Sequence, residues 1–258
     1  MTDRFENPAE RLLRIINAGR KIKAQENCRK TWCSLLNVDE KDEALLLGRL
    51  GKTMALVREI AEELKALEGV NARSYLGWVP SVNSAFSRQN LNDTWQGFIK
   101  HIDDHTCNYL SNTADILAAH IPRKAWNIDT LRGISRSVNE VVEEISESEL
   151  PQNVKIYMTS KLREIQIAID EYEITGSGPI IEKVEAAFGH VVLDPEFRAA
   201  AKSYPAAEKF WAVIGKLAVL ATLTLTTLQI PNEVRDYLPP AAHIDQEKPT
   251  DPSDENSG

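Results

Sequence analysis

Residues 210–230, FWAVIGKLAVLATLTLTTLQI, form the most apolar run of the chain, and every fold must find a place for it. Between Lys209 and Pro231 the only strongly polar side chains are Lys216 and Gln229, so the run is apolar on all sides rather than striped. Such a segment is either the buried central helix of a domain or a membrane span. Its length suffices for a bilayer. Against a span stand Lys216 and the hydroxyls of Thr222, Thr224, Thr226 and Thr227, which hydrocarbon does not reward. The alternation TLTLTTL over 222–228 also fits an extended end. A core helix is the expectation, with membrane insertion as its alternative.

The rest of the chain supplies what a central helix needs. With 258 residues, 43% of them hydrophobic and 26% charged, it is long enough for a large core and too apolar to stay unfolded. The formal net charge of −8 opposes general attraction to phosphate backbones, so nucleic acid is not the expected partner. Cys28, Cys33 and Cys107 make no paired framework and no CxxC, and MTDRFENPAE has no apolar signal segment. Both point to the cytoplasm.

Helix signals recur along the chain. Asn7, Pro8 and Glu10 read as a capped start, followed by an apolar face of Leu12, Leu13, Ile15 and Ile16. A short helix is expected around Trp32 and Leu35. Asp39 and Asp42 open a long amphipathic helix ending near Glu68, stopped by Gly69. In YLGWVPSVNSAF, Pro80 should kink the helix or end it near Val79. Residues 91–121 read as one long helix before Pro122. Asp129 to Ile145 and Pro151 to about Tyr172 follow, and TGSGP at 175–179 breaks the chain. A shorter helix from Ile180 should stop at Gly189, and Asp194, Pro195 and Glu196 cap the next. The expected fold is an all-α bundle of about eight to ten helices around residues 210–230. It is expected to form a single domain over residues 1–238, or two tightly joined halves meeting near 122–129. Residues 239–258 read as an acidic tail too poor in apolar side chains to fold.

Few residues suggest chemistry. GRLGKT at 48–53 resembles the end of a phosphate-binding loop, but that pattern needs Gly where Leu46 stands, and the flanks have helical rather than strand spacing. His101 and His105, four apart on the expected helix with Asp103, Asp104 and Cys107 nearby, are the candidates for a metal or acid/base site. Two ligands do not make a site, and boundary histidines are the plainer interpretation. No cofactor is indicated, and no nucleophile stands out. From Glu10 to Lys30 cations outnumber acids, with Arg11, Arg14, Arg20, Lys21 and Lys23 as a candidate interaction surface. The plainer alternative is a solvated face paired with acids elsewhere. Glu140, Glu143, Glu144, Glu147 and Glu149 form its acidic counterpart. Tyr75, Trp78, Phe86 and Trp95 fit core packing better than a ligand pocket.

At NPAERLLRIINAGRK, YLGWVPSVNSAF, EIQIAIDEYEITGSGPIIEKVEAAFG and FWAVIGKLAVLATL the sequence resembles a group of bacterial all-helical proteins without an assigned activity. That resemblance implies a helical fold and a bacterial origin, suggests an accessory of a toxin or phage-defence system, and supplies no catalytic residue. It does not extend to His101 and His105. Three functions follow as expectations. One is a non-enzymatic interaction or regulatory protein with a protein partner or a second copy of itself. Another is a membrane-acting effector inserting residues 210–230. The last is a metal-dependent enzyme using His101 and His105.

Overall fold

A computed structural model describes residues 6–224. The chain is all-α, and ten helices of eight residues or more carry the described part. Residues 225–230 of the apolar run and the acidic segment 239–258 lie outside the described residues.

The first six helices are α1 (Pro8–Arg20), α2 (Cys28–Leu35), α3 (Glu43–Ala66), α4 (Val79–Arg88), α5 (Gln96–Ile99) and α6 (Asp104–His120). They close on one hydrophobic cluster. The caps are the ones the sequence advertises: the Asn7 side chain accepts from the Glu10 amide and the Asp42 side chain from the Leu45 amide. Two boundaries differ from expectation. Pro80 does not end a helix; it occupies the first turn of α4, where its missing N–H costs nothing. Residues 91–121 are not one helix either. Asp103 accepts from the backbone and hydroxyl of Thr106 and starts α6 afresh, so α5 ends before it. The aromatic residues of this region are core. Trp32, Phe86, Trp95 and Phe98 pack ring on ring at centroid separations of 4.7 to 5.9 Å. The Trp32 indole donates to Gln89, and the Trp95 indole donates to the Gly19 carbonyl.

The remaining helices are α7 (Ile128–Glu147), α8 (Gln152–Asp170), α9 (Tyr172–Thr175), α10 (Gly178–Leu193), α11 (Pro195–Ser203) and α12 (Pro205–Thr224). Gly189 does not stop α10, which runs on to Leu193 and ends against the Asp194 cap of α11. Side-chain bonds fix the directions. Lys155 reaches the Ser146 carbonyl and Gln166 reaches Ser135, so α7 and α8 are antiparallel. Lys183 meets Glu164, and Tyr157 donates to the Ala186 carbonyl, which sets α10 antiparallel to α8. Lys209 pairs with Glu144 close to the end of α7, and α12 then runs back along α7. The result is a four-helix up-and-down bundle with α11 across one end.

The apolar run fills this bundle's core. Phe210, Trp211, Val213, Ile214, Leu217, Ala218 and Ala221 are all buried, and Lys216 lies on the one exposed flank. Among the described residues no helix is long and apolar enough to cross a membrane.

The two clusters divide the chain at its centre. One holds Ala9 through Leu117, the other Trp126 through Ala221, with a single exchange: Ile174 belongs to the first. Helix α9 therefore staples the clusters together, with Tyr172 packed in one and Ile174, two residues on, in the other. The turn that follows needs glycine twice over. Gly176 has φ of +74°, and a Cβ there would lie 2.1 Å from the Arg11 guanidinium.

Candidate functional site

A network of charged side chains, several of them buried, lies where the clusters meet. Glu6, just ahead of α1, is buried, and its carboxylate accepts from the Ser177 amide at 2.7 Å, the Tyr172 hydroxyl at 3.0 Å and the Arg11 guanidinium at 3.3 Å. Tyr172 in turn accepts from the Trp126 amide at 2.7 Å. Arg11 is 4% exposed and bridges Glu6 to Glu59 of α3, while its Nε is buried without a hydrogen-bond partner. Burial pushes the Glu59 carboxyl above its ordinary range, more than Arg11 draws it down, and the nearby Glu63 charge adds to the rise. Arg123 pairs with Glu63 at 2.8 Å.

The string GRLGKT belongs to this joint and not to a phosphate loop. It lies wholly within α3. Arg49 is buried, donates to the carbonyls of Leu36 and Asn37, and faces Glu171; Lys52 also bonds Glu171; and the Thr53 hydroxyl turns back onto the Arg49 carbonyl. A lysine and an arginine one helical turn apart are there to hold the buried Glu171 carboxylate at the start of α9. Beside this network is a cavity of about 500 Å³ lined by Glu6, Arg11, Lys52, Glu59, Arg123 and Glu182, among others.

The residues singled out by the sequence do not form one site. His101 lies in the turn before α6, with Nε2 buried and lacking a partner; burial, then Lys100 and Arg88, lower its pKa. His105 is on α6, exposed, and its ring lies tilted against Tyr109 at a centroid separation of 4.6 Å. The helix break between them removes the shared face that spacing of four required. Asp103 is committed to capping, and Asp104 and Cys107 both meet Arg20. Among the described residues no group of three or more His, Cys, Asp or Glu is arranged to hold a metal ion.

The basic patch is largely spoken for. Arg11 is inside, Arg14 bonds the Glu173 carbonyl at 2.7 Å, and Arg20 pairs with Asp104, leaving Lys21 and Lys23 exposed. These partners come from Glu6, α3, α6 and α9, not from the acidic end of α7, where Glu144 meets Lys209 instead.

One surface had no signal in the stripe pattern. Ile156 and Ile167 on α8 are 61% and 55% exposed. Eleven residues is close to three full turns, so both point the same way, about 16 Å apart. Thr159, Ser160 and Arg163 lie between them in a groove of about 500 Å³ whose lining also includes Ser146 and Lys155. The opposite face of α8, Met158, Leu162 and Ile165, is buried. Nothing local in the sequence separates Ile156 from the buried Leu162 and Ile165 of the same helix.

No family model, curated protein or solved structure matches this chain, and the bacterial resemblance rests on the quoted segments alone.

Proposed function

We propose that the protein is a non-enzymatic interaction protein that docks an acidic amphipathic helix of a partner protein on the outer face of α8. The observation that carries this is the pair Ile156 and Ile167, both more than half exposed on one line of a helix whose other face is fully packed. Large aliphatic side chains three turns apart flanking small residues are what a helix-in-groove contact uses as anchors.

Charge selects the occupant. Within the groove Glu164 is neutralised by Lys161 and Lys183, whereas Arg163 has no ionic partner among the described residues and Lys155 bonds only a carbonyl. The groove is therefore apolar with surplus positive charge, on a chain whose net charge is −8. A helix with two apolar residues three turns apart and a carboxylate between them complements it. The resemblance to bacterial helical proteins supports the setting of a toxin or defence accessory, with the partner encoded alongside.

The test is quantitative co-purification from the native host of the wild-type chain and of a double variant, Ile156→Glu with Ile167→Glu. A partner lost by the double variant, cross-linked through an acidic amphipathic segment, supports the proposal. An identical set of captured proteins for both chains overturns it, as does a groove occupied only by a second copy of this chain in solution.

A further inference from the structure

We infer that the cavity between the two hydrophobic clusters is a binding site for a small organic cation, a primary ammonium or guanidinium on an aliphatic stem. The cavity, at about 500 Å³, is of the size that holds a small metabolite. Its walls come from four stretches of the chain: Glu6 with the start of α1, helix α3, the segment after α6, and α9 with the start of α10. Any occupant would therefore touch both clusters.

The balance of charge identifies the ligand. The lining itself balances, Glu6, Glu59 and Glu182 against Arg11, Lys52 and Arg123; with the ionic partners of those residues included, Glu63, Glu171 and Arg49, the group holds five carboxylates and four cations. The pairing is specific. Arg11 serves Glu6 and Glu59, Arg123 serves Glu63, and Arg49 and Lys52 share Glu171. Glu182 in the first turns of α10 has no ionic partner among the described residues and is exposed at the wall. Glu59 is half-buried and shares its one ion-pair partner, Arg11, with Glu6, while Arg123 acts on it only from a distance, so there is room for a further positive charge in direct contact. Burial, and then the neighbouring Glu63 charge, hold its carboxyl above the ordinary range, and a cation in contact would act against both.

The remaining wall suits a stem. Ala55, Leu56, Ile174, Pro179 and Ile181 line the cavity next to these acids. An ammonium or guanidinium between Glu59 and Glu182, with its methylenes on this wall, would satisfy both carboxylates by charge-assisted hydrogen bonds. An organic group is indicated over a bare metal ion, because among the described residues no three ligating side chains converge. Arg11, Lys52 and Arg123 each already hold a carboxylate, so an anionic ligand would compete with an existing ion pair for each of them.

Titration calorimetry on the purified full chain tests this, with 1,4-diaminobutane and agmatine as probes and succinate as the anionic control. Saturable binding of either amine and none of succinate is expected. Glu182→Gln should weaken the amine by at least about ten-fold, since a charge-assisted bond is lost, with an unchanged melting temperature because Glu182 supports nothing else. Glu59→Gln should weaken the amine as well, but with a lower melting temperature, because the buried Arg11 loses an ionic partner. Saturation by succinate, no saturable binding of either amine up to about 10 mM, or a Glu182→Gln variant that binds as tightly as wild type would each overturn the inference. None of these outcomes depends on whether α8 docks a partner.

Discussion

The Tyr172 hydroxyl donates to the Glu6 carboxylate across 3.0 Å, joining two residues 166 positions apart in the chain. Glu6 borders the N-terminal cluster, Tyr172 is packed in the C-terminal one, and the same hydroxyl accepts from the Trp126 amide where α7 begins. One oxygen thus ties together three segments that local sequence keeps apart.

Tyr172→Phe removes that oxygen while keeping the ring, which is stacked near Trp126 at 6.1 Å. A buried amide and a buried carboxylate oxygen then lose a partner, at a cost of about 1–3 kcal/mol. Urea denaturation should show this loss, and the fluorescence of Trp126 should respond at lower denaturant than in the wild type.

Two glycine substitutions should move stability in opposite directions. Alanine gains roughly 1 kcal/mol over glycine in a helix interior. At Gly133 on α7 a new Cβ meets nothing within 4 Å, so Gly133→Ala should stabilise by about 0.5–1 kcal/mol. At Gly19 on α1 the Cβ would lie 2.8 Å from the fully buried Trp95 ring, whose indole N–H is bonded to the Gly19 carbonyl. A ring pinned in this way cannot step aside. Overpacking of about 1–3 kcal/mol outweighs the propensity gain, and Gly19→Ala should lower the urea midpoint.

Alkali should destabilise the protein through two acids, the buried Cys28 and the partly buried Tyr157. Burial, aided by Asp93, raises the Cys28 thiol from its ordinary 9 to about 11, and burial with the Glu164 charge raises the Tyr157 phenol from 10 to about 12. Both folded-state values exceed the unfolded ones, so the stabilisation is complete below about pH 9 and is lost as pH rises towards about 12. The urea midpoint should fall across that window. Tyr157→Phe should flatten its upper part, above about pH 10, and Cys28→Ser its lower part.

What could be read from the sequence was local. Asn7, Asp42 and Asp194 announce their helices because a cap is written within three residues, and Trp211 through Ala221 are core because an all-round apolar helix has few other places to go. The break at Asp103 was written just as locally, in the Asp103 to Thr106 cap, but the apolar stripe across residues 91–121 outweighed it. Pro80 misled because a proline in the first turn and one at a helix end look alike until the preceding turn is known. The joint was beyond reach: Arg11 looked like a surface cation, and only Glu6, Glu59 and the Gly176 turn, brought in from far along the chain, make it a buried one. The α8 face was hidden for the opposite reason, since Ile156 carries no mark distinguishing an unpartnered isoleucine from a packed one.

The most direct measurement is photo-cross-linking in the native host from a benzoylphenylalanine placed at Ser160, midway between Ile156 and Ile167, with the same group at the exposed Arg132 of α7 as control. Docking on α8 requires a single dominant adduct from position 160, absent from position 132, whose cross-linked peptide is an acidic amphipathic helix. Adducts of equal yield from both positions, or none from position 160, would contradict it.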